Sequence, residues 1–594
     1  MIWSSTSVRR FFSLLALAVV LAGCGSSRPY TLDPVKTEDP DRQPIPEPEE
    51  TAENMYWDRV NLSLFEQIEK PTNLNWTGRK VGRWLGLTGP DEADNVNVLD
   101  EPPNSSWYTR RHYYDEMTPR ELAIGPNHRD TTGVAAGPDT AGTWTVVSGK
   151  SEGASRGFVI RDSRGDTYVM KLDGPEYPGL ATSAEVISTK ILHAAGYFVP
   201  QNTVTFFHPD QLEVGAEATI DRGATERPMR PSDLETLLEP YPRTADGKIR
   251  ILASKFVDGK PLGPFDFYGT KRDNPNDRVR HEKRRELRGL SVISSWLHDT
   301  DRRAANTLRV FTDDQYIRHY IFDMGSTLGA NASSPKKPVH GQAYIIDQRK
   351  IPQALLSLGT YEFPWWEYDR TPAYPSVGYY RADVFDPGEW VMSYPNPAFE
   401  ERTRRDAFWG AKIVMSFRDE DLEAIVETAQ MPDPEAEAYL LEILKARRDK
   451  VGRYWFRRIN PIDRFTIRPE TPSPPATATE AVDREGGGPI LEFDDLSVAY
   501  DLVSARSSAY EYEIRHDGDI LVEARTEESA IPLRVGTTPL PAVLDRAGAE
   551  EAHARVVQIE IRTQRQDGHV SRPTVVYVVV PSKGSARVVG LERK

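Results

Sequence analysis

The period of hydrophobic and polar positions changes along the chain, and the changes divide it into regions. Residues 142–172 read as three strands: 144–148, the glycine-rich loop 149–157, then 158–161, a polar turn over 162–166, and 167–172. Residues 182–196 switch to a helical stripe through Ala184, Ile187, Ile191, Ala194 and Ala195, with Gly196 as its C-cap. The run 197–207 reads as a Pro-bounded pair of strands that completes a five-stranded lobe, and 251–259 as the last strand and hinge. Helical periods then dominate. Positions 287, 290, 293, 296 and 297 mark one buried helix, and 404–417 and 435–455 two more. His281, Arg284 and Arg285 before the first, and the basic run 445–450 in the last, read as solvated faces. Between the helices, Leu308, Val310 and Phe311, a polar 312–315 turn and the run 316–322 predict a tight hairpin. Beyond residue 490 the period returns to two, with strands at 510–514, 520–524, 556–561 and 575–580.

The expected class is α+β. The expected divisions are a signal peptide over 1–23, a disordered Pro- and acid-rich tether over 24–53, and an N-terminal extension over 54–141 with Trp and Tyr as packing anchors. A strand-rich lobe (142–262), a mostly helical lobe (263–464), a Pro/Gly linker (465–489) and a β-rich accessory domain (490–594) follow; a sandwich is one arrangement for the last. A length of 594 residues has room for these, and a formal charge of −15 lacks the basic footprint of a nucleic-acid binder.

The N-terminus adds a location. Arg9 and Arg10 precede an apolar run over 11–23, too short and wrongly flanked for a membrane span. Leu21-Ala22-Gly23-Cys24 resembles a bacterial lipoprotein signal, and Cys24 is the single cysteine of the chain, so no intrachain disulfide can form. The resemblance implies a lipidated Cys24 anchored in the membrane. Gly25 after it, rather than Asp, implies sorting to the outer membrane.

The candidate chemistry lies in 298–325. Asp301 is followed by Asn306, the hairpin and then Asp323-Met324-Gly325. Two strands joined so tightly must pair, which brings Asn306 near Asp323. A neutral and a charged oxygen suit Mg²⁺ or Mn²⁺ beside a triphosphate, and Asp301 could take a hydroxyl proton. The competing reading is that Asp299, Asp301 and Asn306 cap turns. Upstream, Lys171 ends a strand and shares a face with Val169, a pairing that suits a phosphate contact beside a flat adenine wall. A solvent-facing edge lysine is the alternative. Glu185 could pair with Lys171 across the lobes, or close a capping box with Thr182. Gly149, Gly153 and Gly157 could let backbone N–H groups close over phosphates, although the loop matches no P-loop pattern and any hairpin may hold glycines.

Together the string 301–306, Asp-Arg-Arg-Ala-Ala-Asn, and the later Asp323-Met324-Gly325 resemble the atypical branch of the protein-kinase-like superfamily. That branch holds HipA-type bacterial Ser/Thr kinases, phosphatidylinositol kinases and secretory-pathway kinases. The resemblance covers about residues 142–460 and implies a two-lobe kinase-like fold using ATP and Mg²⁺ or Mn²⁺. It implies Asp301 as the catalytic Asp, Asn306 and Asp323 as metal ligands, and Lys171–Glu185 as the lobe-bridging pair. Arg303 stands where the family has His. The implied acceptor is a hydroxyl on a protein, lipid or sugar. A pseudokinase or structural envelope lipoprotein, holding a partner through its C-terminal domain, is the alternative. No H-E-x-x-H points to a metal-dependent hydrolase.

Overall fold

The computed structural model describes residues 28–48, 89–127, 137–150, 156–221, 226–345, 347, 350, 356–357, 361–469 and 488–594. The signal peptide, Cys24, Gly153, residues 54–88 of the extension and most of the linker lie outside the described residues. Among those described, no helix is long and apolar enough to cross a membrane.

The fold is mixed α and β. Its larger sheet contains β1 (Trp144–Lys150), β2 (Gly157–Arg161), β3 (Thr167–Lys171), β4 (Asn202–Phe207), β5 (Leu212–Asp221), β6 (Glu226–Pro228) and β7 (Ile249–Lys255). Their order is β4-β7-β3-β2-β1-β5-β6, with β1 and β5 parallel. Five strands were expected. The sheet has seven: 197–207 supplies one of its strands, β4, instead of a pair, and β5, an alternating run that pairs with β1, carries β6 on its outer side.

Helix α1 (Leu180–Ala194) covers one face at its β4–β7 end, where Val186 packs on Val204 and Leu252. Helix α2 (Pro231–Leu238) covers the other, adding Leu234, Leu237 and Leu238 to Phe158, Ile160, Tyr168 and Met170. After β7 the chain leaves this sheet through 256–259. It enters a three-stranded sheet of β8 (Lys260–Gly263), β9 (Thr307–Phe311) and β10 (Ile317–Ile321). β9 and β10 are the expected hairpin, paired from Phe311–Ile317 to Thr307–Ile321.

The helical part is centred on α3 (Arg285–Leu297), every residue of which is buried. It packs on α4 (Arg404–Met415) and α5 (Pro434–Phe456) through Leu290, Ile293 and Trp296 against Phe408, Leu444 and Trp455. Gly289 sets the approach of α3 to α4, since a Cβ there would lie 2.3 Å from Trp409. The basic residues expected on a solvated face are instead inside. Arg285 pairs with Asp100 and Asp406 (both 2.8 Å), His281 with Asp277 (2.8 Å), and Arg284 lies over Trp107. Arg447 of α5 is also buried, donating to the last carbonyls of α3 at Ser295 and Trp296. Burial is tolerable because each cation meets a carboxylate, carbonyl or ring.

Residues 28–48, expected within a tether, lie along the body. Thr31 N–H donates to Val589, Asn104 exchanges backbone bonds with Thr37 and Asp39, and Ile45 N–H donates to Gln315. Asp41 is buried, accepting from the Ser106 N–H and hydroxyl, and burial raises its carboxyl to about 6. Low apolar content predicted disorder, but the segment is held by backbone pairing and this buried carboxylate, which composition does not register.

The C-terminal part has two larger sheets and a two-stranded ribbon, Arg534–Val535 with Thr538–Pro539. The strands Ile462–Arg468, Ile490–Asp495 and Ala530–Pro532 form one; the other has five strands, including Ser508–His516, Val556–Arg565, Thr574–Val579 and Arg587–Arg593. They share a core of Leu491, Phe493 and Ile531 with Ile514, Val557, Ile559 and Val576. Its first strand starts at residue 462, within the range expected for the helical lobe and linker.

Candidate active site

Lys171 stands at the end of β3, between Gly157 of β2 and Leu252 of β7. Its face of the strand carries Val169, half-buried and opposite Val159 of β2. Of the three glycines, Gly149 lies in β1 and Gly157 in β2, because the two strands pair out to Lys150–Gly157. The connection is therefore shorter than expected. A Cβ on Gly157 would lie 2.1 Å from the Met170 carbonyl oxygen, so close strand packing accounts for that glycine.

The N-terminus of α1 decides what Glu185 does. Asp173 accepts from Gly179 N–H (2.8 Å), Ala181 N–H (2.8 Å), Thr182 N–H (2.9 Å) and the Thr182 hydroxyl (2.7 Å). Thr182 thus serves Asp173, the capping box with Glu185 does not form, and Glu185 faces Lys171 at 2.7 Å. Arg250 of β7 braces the same helix end, reaching Asp173 (3.3 Å), Ser183 (3.0 Å) and the Gln430 carbonyl (3.2 Å). We expect Asp173→Ala to lower unfolding free energy by about 1–2 kcal/mol in urea titrations. An unchanged midpoint would show that water replaces the cap.

Lys171 also reaches Asp323, at 3.2 Å, so one ammonium bridges two carboxylates. Burial acts against the ammonium, but Asp323 and Glu185 together hold it above its ordinary range. Burial raises the Glu185 carboxyl, against the pull of Lys171. The two acids differ in reach: the Glu185 side chain is 3% exposed and that of Asp323 43%. Asp323 is the one that an ion from solvent can approach. Its φ of 59° is left-handed, a conformation in which Asp is among the better tolerated residues.

The loop around Asp301 is organised by Arg302, which is fully buried. Its guanidinium pairs with Asp299 (2.7 Å) and donates to the carbonyls of Asn306 (3.0 Å) and Phe322 (2.8 Å). Phe322 N–H in turn donates to the Asn306 carbonyl (3.2 Å). One side chain thus ties the start of β9 to the end of β10 and holds Asn306 beside Asp323. Asn306 donates its amide nitrogen to the Asp301 carbonyl (2.7 Å) and carboxylate (3.2 Å), which leaves its amide oxygen as the atom suited to a cation. Arg303 pairs with Asp301 (3.0 Å) and lies over the Tyr394 ring. Burial raises the Asp301 carboxyl, opposed by Arg303 and reinforced by Asp299.

Beneath the loop, the buried Lys336 donates to the Thr300 hydroxyl (2.9 Å) and the Ser326 carbonyl (2.8 Å). Burial pulls its amine down to about 8, partly offset by Asp299 and Asp301. The unfolded chain then binds the extra proton between about pH 8 and 10.5, so this group makes stability rise with pH across that window. Relative to Lys336→Met, the natural protein should gain roughly 3 kcal/mol over that range, read by denaturant titration at each pH. Parallel curves would refute it.

The structure therefore brings Lys171, Glu185, Asp323, Asn306 and Asp301 into one connected cluster. Among the described residues no three His, Cys, Asp or Glu side chains gather to hold a metal unaided. Asp173, Arg302 and Lys336 were missed. Arg302 is part of the matched string, yet nothing in a sequence says that an arginine will turn inward. In comparison with known proteins, no family model, curated protein or solved structure matches the chain.

Proposed function

We propose that this protein is a kinase-like, lipid-anchored phosphotransferase, moving the terminal phosphoryl group of ATP to a hydroxyl acceptor. The observation that carries the reading is Lys171 bridging Glu185 and Asp323 while Asn306, beside Asp323, is bonded to Asp301. On this reading the sheet and the helical part are the two lobes, and the Val159–Val169 surface is where the base would rest. Asp323 and Asn306 would hold Mg²⁺ or Mn²⁺. Their donor set fits: one carboxylate and one amide oxygen are too few for a closed protein cage, but suit an ion completed by phosphates. When bound, the ion would supply neutralising charge to those phosphates. Lys171, steered by Glu185, adds a fixed positive charge. Asp301, on the same loop, orients the acceptor hydroxyl and takes its proton as the new P–O bond forms and the bond to the nucleoside diphosphate breaks.

A second reading, a pseudokinase or structural envelope lipoprotein, is favoured by one contact: Arg303 already neutralises Asp301. Calorimetric nucleotide titration with and without Mg²⁺, beside phosphate-transfer rates, separates the two. Affinity with turnover supports the kinase, affinity without turnover the pseudokinase. No affinity for any nucleotide leaves the structural lipoprotein.

A further inference from the structure

The segment that follows the lipobox is pinned to the C-terminal β domain almost at once. Tyr30 packs its ring on Tyr577 and His553, with centroids 5.6 and 5.9 Å apart. Thr31 N–H donates to the Val589 carbonyl (3.0 Å), and the Leu32 carbonyl accepts from Arg587. Tyr30 and Leu32 complete an apolar cluster of Val575, Tyr577, Val579 and Val589 on the face of the five-stranded sheet that looks away from its core. Gly590 makes the fit possible, since a Cβ there would lie 2.5 Å from the Pro29 carbonyl oxygen.

Covalent geometry turns this docking into an orientation. Six residue steps separate Cys24 from Tyr30, and an extended chain spans about 3.5 Å per residue, so the two are at most about 20 Å apart. An acyl chain on Cys24 holds that residue at headgroup level. We propose that the anchored protein rests with the Arg587–Arg593 strand and the adjoining 581–586 loop against the bilayer surface, its partner there being lipid headgroups. The body is not lifted away on a flexible stalk. The charge of this region fits: Lys583 and Arg587 are exposed, and its one carboxylate, Glu592, is paired with Lys594 at 3.1 Å. The strap then runs on past Asn104 and Ser106 to the Gln315 end of the hairpin. Ile45, docked there, lies up to about 50 Å of chain beyond Tyr30, so the hairpin turn is free of the tight leash that binds the β domain.

The proposal rests on the lipid anchor at Cys24, and the test keeps the two apart. Lipidation consumes the sulfur of Cys24, the only cysteine in the chain, so Lys583→Cys or Asp313→Cys leaves a single thiol to label. The lipidated full-length mature protein, carrying a donor fluorophore at either position, is placed on phosphatidylethanolamine/phosphatidylglycerol vesicles containing a headgroup-labelled acceptor. Energy transfer from position 583 should be higher than from 313, because the roughly 20 Å leash binds the β domain and not the hairpin turn. Equal or reversed transfer in protein that floats with the vesicles would overturn the orientation alone. Flotation that is absent, or unaffected by Cys24→Ser, would remove the anchor and the orientation with it.

Discussion

Asp323→Ala is expected to abolish Mg²⁺-dependent nucleotide affinity and turnover together. Asp323 is the carboxylate of the Lys171 cluster that solvent reaches, whereas Glu185 is enclosed. Without Asp323 the Lys171–Glu185 pair persists, so the loss to folding should stay near 1 kcal/mol, the range of a part-exposed ion pair. Ala at the left-handed φ of 59° adds strain of about 1–2 kcal/mol. Asp323→Asn therefore belongs beside it: Asn tolerates that backbone and keeps an oxygen, but removes the charge. Loss of the Mg²⁺-dependent component of binding in both variants, with the melting temperature of the Asn form close to the parent, would assign the effect to charge. Calorimetry that finds the same Mg²⁺-dependent affinity in parent, Asn and Ala forms would end the phosphotransferase reading.

The site was legible where its logic is local. The hairpin follows from alternating apolar residues around a polar turn, and its pairing from Thr307–Ile321 to Phe311–Ile317 brings Asn306 to Asp323 as the spacing demanded. Lys171 and Val169 share a face because strand period is two. What failed to show was whatever depends on distant partners. The capping box Thr182-x-x-Glu185 was as well formed in sequence as the ion pair, and only Asp173, nine residues before Thr182, decides between them. Arg284, Arg285 and Arg447 read as surface because burial of a cation depends on Asp100, Asp406 or a helix end that the local pattern does not contain. The strap over 28–48 failed for the converse reason. It contributes few apolar side chains, and its backbone partners at Asn104, Gln315 and Val589 lie far along the chain.

Asp301→Asn should separate affinity from chemistry. Asp301 bonds to Asn306 and pairs with Arg303, one loop away from the Lys171–Asp323 ion pair, so nucleotide binding should be nearly unchanged. Turnover should fall by about 10²–10⁴-fold, roughly 3–5 kcal/mol of barrier, because an amide cannot take the acceptor proton. The environment of Asp301 adds a second readout. Burial raises its carboxyl while Arg303 lowers it, so the acid limb of the rate profile should lie above the ordinary carboxylate range. Replacing Arg303 by Met removes the lowering influence and should move that limb to higher pH; a carboxyl that must be ionised then loses activity earlier as pH falls. A group that merely caps the loop would show neither behaviour: Asp301→Asn would leave turnover intact, and Arg303→Met would leave the limb where it was. Binding energy and transition-state stabilisation are distinct quantities. Titration and rate measured on the same two variants therefore decide whether Asp301 is a base or a turn residue.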